Sequence, residues 1–203
     1  MFPFDVILFD VGGVLLTNGW DTRERALAVA HFHLDQVDFE ARHQAADPNW
    51  ERNAISLQAY LDATVFDRPR GFSHDEFFRF MLAQSKLLPG GALGILKELA
   101  ASNKCMLGAL NNEAYETNKY RFETFGLRNL FTVALSSCYL GLRKPDPAIY
   151  QRALDILGRP SHRILFIDDR IENAAGALNA GMKAIQFQDA DKLHGELVSL
   201  GVL

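Results

Sequence analysis

The chain is poor in cysteine and in the sequence signals of secretion. Of its 203 residues only Cys105 and Cys138 are cysteines, which excludes a scaffold held together by a framework of disulfides. No asparagine lies in an N-x-S/T sequon. The start of the chain also lacks the basic region and the long apolar region of a signal peptide. We therefore expect a cytoplasmic protein.

Long hydrophobic runs and an excess of basic residues are missing as well. No uninterrupted apolar stretch approaches the length of about 18 residues that a membrane span requires. Lysine and arginine number 21 against 25 aspartates and glutamates, and the formal net charge is −4. Nucleic-acid binders usually carry a basic excess. We therefore expect neither nucleic acid nor a membrane as a partner, and the sequence predicts no particular oligomeric state.

The composition is that of a globular domain, with 48% hydrophobic and 23% charged residues. Five short apolar runs, at residues 6–9, 105–110, 131–135, 164–167 and 184–187, predict buried parallel strands. Helical patterns lie between most of these runs from residue 90 onward. This alternation is typical of a parallel sheet with helices on both faces, so we predict an α/β fold with a doubly wound parallel sheet.

The first two predicted strands are separated by about 95 residues, several times more than a single crossover helix needs. The patterns in this gap predict only helices, at residues 21–33, 35–45, 55–66 and 73–86. The simplest interpretation is a small all-helical cap, residues 17–88, inserted into an α/β core. Residues 1–16 and 89–203 would form that core.

Polar residues follow the predicted strands at the end where open α/β sheets bind ligands. They are Asp10, Asn111, Asn112, Lys144, Asp168 and Asp169. Because the carboxyl ends of parallel strands meet at one edge of a sheet, we expect three carboxylates, two amides and one ammonium to converge there.

The three aspartates of this set predict a metal site. Carboxylates that share a site repel one another, so one pKa must rise strongly unless a cation neutralises them. Asp10, Asp168 and Asp169 offer hard oxygen ligands, which favour Mg²⁺ over Zn²⁺. Lys144 and the two asparagines add positive charge and amide donors, a combination that suits a phosphate dianion beside a metal. For one acid taken alone, for example Asp169, capping of the following helix is an equally good interpretation.

Four segments carry a resemblance to a known family. Residues 9–15 (FDVGGVL), 110–112 (LNN), 141–147 (GLRKPDP) and 166–169 (FIDD) resemble, in order and spacing, the four motifs of the haloacid dehalogenase-like (HAD) hydrolase superfamily. The helical insert is similar to the C1-type cap of that family. Among its members, the bacterial α-glucose-1-phosphate phosphatases and the phosphatase domain of soluble epoxide hydrolase are similar to this chain.

The resemblance implies a Mg²⁺-dependent phosphohydrolase that acts on a small phosphorylated metabolite. Asp10 would be the nucleophile and would form an aspartyl-phosphate that water then hydrolyses. The implied catalytic residues are Asp10, Lys144 and Asn111, and the implied phosphate contacts are Asn111, Asn112 and Lys144. The implied metal ligands are Asp10, the backbone carbonyl of Gly12, Asp168 and Asp169.

The chain differs from the family pattern at two positions. The phosphatases of the family usually carry a second aspartate, a general acid and base, where this chain has Gly12. The second motif usually carries serine or threonine where this chain has Asn111. A carbonyl ligand survives any side chain at position 12, and an amide can still donate to a phosphoryl oxygen.

Two other functions are compatible with these residues. A 2-haloacid dehalogenase also uses an aspartate nucleophile, but its fourth motif resembles Ser-Ser-Asn and its reaction has no use for Mg²⁺. A catalytically silent phosphate-binding or regulatory module is the second alternative, favoured by Gly12 and Asn111. The pair Asp168 and Asp169 favours phosphate chemistry over the dehalogenase reaction, and the silent module stays open.

Aromatic residues and histidines give weaker signals. Trp20 and Trp50 flank the predicted cap and could line a pocket of the size of a sugar, although single aromatic residues more often belong to a core. The six histidines show no metal-ligand spacing, and we expect them at the surface.

Overall fold

A computed structural model describes residues 2–203 and contains one sheet of five parallel strands. The strands are β1 (Val6–Phe9), β2 (Met106–Ala109), β3 (Val133–Ala134), β4 (Ile164–Asp168) and β5 (Lys183–Gln186). Their spatial order is β3-β2-β1-β4-β5. Every predicted strand is found, although β3 is only two residues long and pairs with β2 alone.

Helices connect the strands and also fill the long first connection. Before β2 the structure has α1 (Thr22–His31), α2 (Gln36–Glu51), α3 (Leu57–Thr64), α4 (His74–Ala83) and α5 (Leu93–Ser102). After β2 it has α6 (Tyr115–Thr124), α7 (Ser137–Leu140), α8 (Pro147–Leu157), α9 (Ile171–Asn179) and α10 (Ala190–Ser199). Short 3₁₀ helices lie at Leu127–Asn129 and Ser161–Arg163. Within residues 2–203, none of these helices combines the length and the apolar character needed to cross a membrane.

The sheet is covered on both faces, which confirms the predicted doubly wound α/β fold. All four residues of β1 are fully buried, and they alternate between the two faces. Ile7 and Phe9 belong to a hydrophobic cluster that includes residues of α5 and α10. Val6 and Leu8 belong to a second cluster, formed with α8 and α9. A strand buried on both faces explains why the sequence shows a continuous apolar run there.

The strand order places a switch point at β1. The chain proceeds from β1 outward to β2 and β3, then returns to the other side of β1 with β4 and β5. Phe9 is level with Ala109 on one side and with Ile167 on the other. The residues that follow these three positions therefore lie side by side at the carboxyl edge of the sheet, where ligands bind in such folds.

The helices α1–α4, called here the cap helices, pack around a hydrophobic cluster of their own. Tyr60 is fully buried in this cluster, where its ring stacks on Trp50 at 4.1 Å between centroids. The Tyr60 hydroxyl accepts a hydrogen bond from Trp20 Nε1 at 2.9 Å and lies 2.8 Å from Nδ1 of His43. The division of the chain at residues 17 and 88 stays a prediction.

Helix α2 is longer than predicted. The sequence pattern ends it at residue 45, before Pro48, but the helix continues through Pro48 to Glu51. A proline in a helix interior costs about 3 kcal/mol because it removes a main-chain donor. Burial of Trp50 against the cap cluster offsets this cost, since the side chain is 3% exposed. The additional turn carries Asp47, Trp50 and Glu51.

Two helices do not appear in the sequence-based prediction. Helix α7 is a single turn, too short to give a periodic pattern. Helix α10 follows the last strand and buries Leu193 and Leu197 against the sheet, while most of its other residues are exposed. Its apolar positions are four residues apart, which is the spacing of a one-sided surface helix.

Replacing Pro48 with alanine should stabilise the protein. Alanine restores a donor inside α2, a gain of about 3 kcal/mol in helix propensity, of which about 1 kcal/mol is lost because the unfolded chain becomes more flexible. We expect the free energy of unfolding to rise by about 2 kcal/mol in urea denaturation. The control is Gln44→Ala, at an exposed position of the same helix, which should change stability by less than about 0.5 kcal/mol. A loss of stability in Pro48→Ala would contradict this account of α2.

Candidate active site

A buried lysine joins the ends of the three central strands. The Nζ atom of Lys144 lies 3.1 Å from Oδ1 of Asp10 and 2.6 Å from Oδ2 of Asp168. It also donates a hydrogen bond to the Leu110 carbonyl at 2.8 Å. These partners follow or end β1, β4 and β2, and the lysine side chain is 1% exposed. The predicted convergence of Asp10, Asp168 and Lys144 is therefore present.

Burial and neighbouring charges shift the pKa values of Lys144 and Asp10. Burial lowers the pKa of Lys144, but Asp10 and Asp168 outweigh this effect and hold the pKa above its ordinary value. Burial raises the pKa of Asp10 to about 7, against the opposing effect of Lys144, and repulsion from Asp168 and Asp169 adds to the rise. Lys144 is therefore a fixed positive charge, whereas Asp10 is held by a balance of opposing effects.

Asp168 is held rigidly by its neighbours. Besides Lys144, its carboxylate accepts hydrogen bonds from the Asn173 side chain at 3.0 and 3.2 Å and from the Arg170 backbone N–H at 2.9 Å. Each contact donates a hydrogen bond to the carboxylate, and together they fix its orientation. Its side chain is completely buried.

Asp169 completes a group of carboxylates that fits a divalent cation. Oxygen atoms of Asp10, Asp168 and Asp169 lie within 4.8 Å of one another. Oδ1 of Asp169 is buried and has no hydrogen-bond partner, and burial together with Asp168 raises the pKa of Asp169. Three carboxylates beside one ammonium leave two negative charges, which one Mg²⁺ would balance. The donor set therefore matches the predicted ion.

Gly13 makes room for the Asp169 carboxylate. Its φ is +72°, in the left-handed region that favours glycine. A Cβ at this position would lie 2.2 Å from Oδ2 of Asp169, far inside a van der Waals contact. Gly12, by contrast, does not have a positive φ, and a Cβ there would first meet Oδ1 of Asn18, at 3.0 Å. The loop after β1 thus needs glycine at position 13 for steric reasons.

The two asparagines after β2 contact protein groups. Asn111 is buried, donates to Asn118 Oδ1 at 3.0 Å and accepts from Ser136 Oγ at 2.7 Å. Asn112 donates to the Lys144 carbonyl and accepts from the Lys144 backbone N–H, both at 2.8 Å. The Asn112 side chain therefore positions the lysine. The predicted phosphate contacts of both asparagines stay predictions, for which each amide retains a second N–H.

A cavity of about 330 Å³ lies between this edge of the sheet and the cap helices. Its lining on the core side includes Asp10, Gly12, Asn112, Arg121, Arg143 and Lys144. Its lining on the side of the cap helices includes Trp20, Asp21, Arg25, His43, Asp47, Trp50 and Glu51. Charged side chains of both signs thus come from the two parts of the chain, while Asn111 and Asp168 are buried behind the wall.

Two carboxylates from the last turns of α2 face an arginine from the core. Nε of Arg143 lies 2.6 Å from Oε2 of Glu51, and its Nη2 lies 3.7 Å from Oδ2 of Asp47. Burial raises the pKa of Glu51 to about 8, with a further rise from Asp47, and burial raises the pKa of Asp47 to about 6. A second ion pair joins Asp21, before α1, to Arg170 at 3.1 Å.

Residues outside the predicted set of catalytic, phosphate-binding and metal-binding residues also line the cavity. Trp20 and Trp50 do so and also belong to the cap cluster, so both interpretations of them apply. His43 was expected at the surface, which is wrong: it is buried, and burial lowers its pKa to about 4. The spacing of Asp47 and Glu51, four residues apart on one helix face, was the available signal, but the predicted helix end at residue 45 concealed it.

A protein-family model matches most of the chain. The model of the haloacid dehalogenase-like hydrolases matches residues 4–181. Flavin mononucleotide hydrolase 1 of Arabidopsis thaliana is 41% identical over 66 residues, which cover 32% of this chain and 27% of that protein. Pyrimidine 5'-nucleotidase YjjG of Escherichia coli is 30% identical over 191 residues, which cover 88% of this chain and 84% of that protein.

The solved structures show the same fold. A HAD family enzyme of Bacteroides thetaiotaomicron, in a complex with magnesium, aligns with a TM-score of 0.75 and 19% identity, over 92% of this chain and 94% of that one. The chain spans less than half the length of the first four curated relatives that it matches.

A methyl group at position 13 should abolish metal binding, whereas one at position 12 should not. We expect Mg²⁺ to raise the melting temperature of the unmodified protein, because it binds the folded state only. Gly13→Ala displaces the Asp169 carboxylate and should lose this response. Gly12→Ala meets only the end of a flexible side chain and should retain it. A Mg²⁺ response in Gly13→Ala equal to that of the unmodified protein would show that Asp169 is not a ligand.

Proposed function

This chain belongs to the haloacid dehalogenase-like hydrolase family, and we propose that it is a Mg²⁺-dependent phosphohydrolase of small phosphorylated metabolites. The observation that carries the proposal is the buried Lys144 between Asp10 and Asp168, with Asp169 beside them. A cation site and a fixed ammonium at one nucleophilic carboxylate are what transfer of a phosphoryl dianion requires.

Asp10 is the proposed nucleophile. The Val11 backbone N–H at 2.8 Å and Lys144 at 3.1 Å both contact its Oδ1. These contacts orient the carboxylate, so we assign the attack on phosphorus to Oδ2. Attack breaks the bond between phosphorus and the ester oxygen and gives an aspartyl-phosphate. Water then cleaves the acyl phosphate, which returns the carboxylate and releases inorganic phosphate.

The other residues of the site hold charge and position. Lys144 neutralises a phosphoryl oxygen, and Asn112 fixes the lysine through its backbone. Asp10, Asp168, Asp169 and the Gly12 carbonyl would hold Mg²⁺. When bound there, the ion would offset the negative charge of the phosphoryl oxygens. Because phosphoryl transfer has a loose transition state, positioning and charge supply most of the catalysis.

The size and the lining of the cavity support a small substrate. A volume of about 330 Å³ is at the lower end of the range for ligand sites. The similar proteins include a flavin mononucleotide hydrolase and a pyrimidine 5'-nucleotidase, whose names give nucleotides as the molecules on which they act. We propose the same class of bond for this chain.

The two alternatives make different demands on the site. A dehalogenase attacks carbon and gains nothing from the three adjacent carboxylates, whose repulsion it would have to tolerate. A silent binding module would need no nucleophile, yet Asp10 is oriented by two contacts. Phosphate transfer is the function that uses Asp10, Lys144, Asp168 and Asp169 together.

The experiment is phosphate release from 4-nitrophenyl phosphate and from a panel of metabolite phosphates, with and without Mg²⁺. We expect Mg²⁺-dependent turnover that chelation abolishes. Asp10→Asn should retain the fold and lose turnover by at least about 10³-fold, because an amide is a poor nucleophile. Acid quenching with a ³²P-labelled ester should trap labelled protein only when Asp10 is present.

Asp5→Asn is the matched control, since Asp5 precedes the same strand at its opposite end and pairs with Arg163 at 2.6 Å. It should leave turnover unchanged. Halide release from 2-chloropropionate without Mg²⁺ would instead identify a dehalogenase, and phosphate binding without turnover would identify a silent module.

A further inference from the structure

Arg121 is a buried cation on the cavity wall that the proposed mechanism does not use. It lies on α6, is 2% exposed, and is among the largest fully buried side chains of residues 2–203. It lines the same cavity as Asp10 and Lys144. A buried charge needs partners, and the question is whether those of Arg121 use its full hydrogen-bonding capacity.

The guanidinium of Arg121 is fixed in one orientation. Its Nη1 donates to the Asn18 carbonyl at 3.4 Å, its Nη2 donates to the Thr17 carbonyl, and Glu113 forms an ion pair with Nη1. Its Nε is buried and has no partner. The group is therefore preorganised, but its hydrogen-bonding capacity is not exhausted.

Position 12 lies next to this guanidinium. A Cβ built on Gly12 would be 3.7 Å from Nη1 of Arg121, so an acidic side chain there would pair with the arginine. Such a carboxyl would be held by the guanidinium and not by the leaving oxygen. Where the family pattern has an aspartate that gives a proton, this chain therefore has Gly12 and the guanidinium of Arg121 beside it.

The leaving group departs along the part of the cavity wall that Gly12 and Arg121 form. Asp10 attacks from the edge of the sheet, and the leaving oxygen departs on the opposite side of phosphorus, into the cavity that Gly12 and Arg121 line. We propose, on the basis of the proposed function, that Arg121 contacts the leaving oxygen and stabilises its negative charge in place of protonation by an acid.

The chemical consequence is a restricted class of substrates. The bond between phosphorus and the leaving oxygen breaks, its electron pair stays on that oxygen, and the oxyanion hydrogen-bonds with the guanidinium. Arginine keeps its own proton, so the oxyanion takes one from water after it leaves. Departure of an anion is fast only for acidic leaving groups. The preferred substrates are therefore phosphates of phenols, enols, anomeric hydroxyls and carboxylic acids.

The test is the dependence of the rate on the leaving-group pKa, measured with a series of aryl and alkyl phosphates. The unmodified protein should show a steep negative slope. Arg121→Met should slow substrates with poor leaving groups by about 10²- to 10³-fold more than 4-nitrophenyl phosphate, whose leaving group needs little stabilisation. Arg121→Lys should restore part of this difference. A merely structural arginine would slow every ester equally, which would overturn the proposal.

A second variant keeps the arginine and its contacts. Gly12→Asp should pair with Arg121 and should not accelerate alkyl phosphates. The double variant Gly12→Asp with Arg121→Met frees the acid, and alkyl phosphates should then react faster than in Arg121→Met alone. Faster hydrolysis of alkyl phosphates by Gly12→Asp alone would overturn the proposal. Arg121 would then not prevent an acid at position 12 from giving a proton to the leaving group.

The outcomes separate this proposal from the function on which it rests. A shallow slope in the unmodified protein would mean that a carboxyl such as Glu51 protonates the leaving group, and would overturn the role of Arg121 alone. Failure to hydrolyse any ester of the series in the presence of Mg²⁺ would overturn both.

Discussion

The structure depends on one buried ammonium. Lys144 binds the end of each of the three central strands, through Asp10, Leu110 and Asp168. Without it, the carboxylates at this edge would repel one another in a region that excludes water, where such repulsion is strong. Its loop is in turn fixed by Asn112. The lysine thus compensates the charge of the site and also determines how the strand ends meet.

The sequence could predict this edge of the sheet because its signals are local. Asp10 and Asp168 each close an apolar run, and a parallel sheet brings such positions together whatever else the chain does. Arg121 could not be predicted in this way, since it lies inside α6, whose sequence is typical of a polar surface helix. Glu51 was concealed because Pro48 indicates a helix end. Only the packing of distant segments shows that both face the cavity.

One loop carries both a contact with the cap helices and the buried ammonium. Arg143, which faces the carboxylates of Asp47 and Glu51 on α2, directly precedes Lys144 in the chain. The contact of Arg143 with α2 therefore lies one residue away from the ammonium that contacts Asp10. On the other side of the cavity, Arg170 pairs with Asp21 and follows the candidate metal ligands in the same manner. Both core arginines thus lie one peptide bond away from a residue of the candidate site.

Pro48 has a consequence for motion. Because it has no N–H, the helical ladder of α2 is interrupted before its last turn, and that turn is attached to the core instead: Ser137 donates to the Glu51 carbonyl at 2.8 Å, and Arg143 pairs with the Glu51 side chain. A helix divided in this way has two cooperative units. Amide hydrogens in the last turn of α2 should exchange at a rate set by local opening of the core. Those in the rest of α2 should exchange at the same rate as the other cap helices.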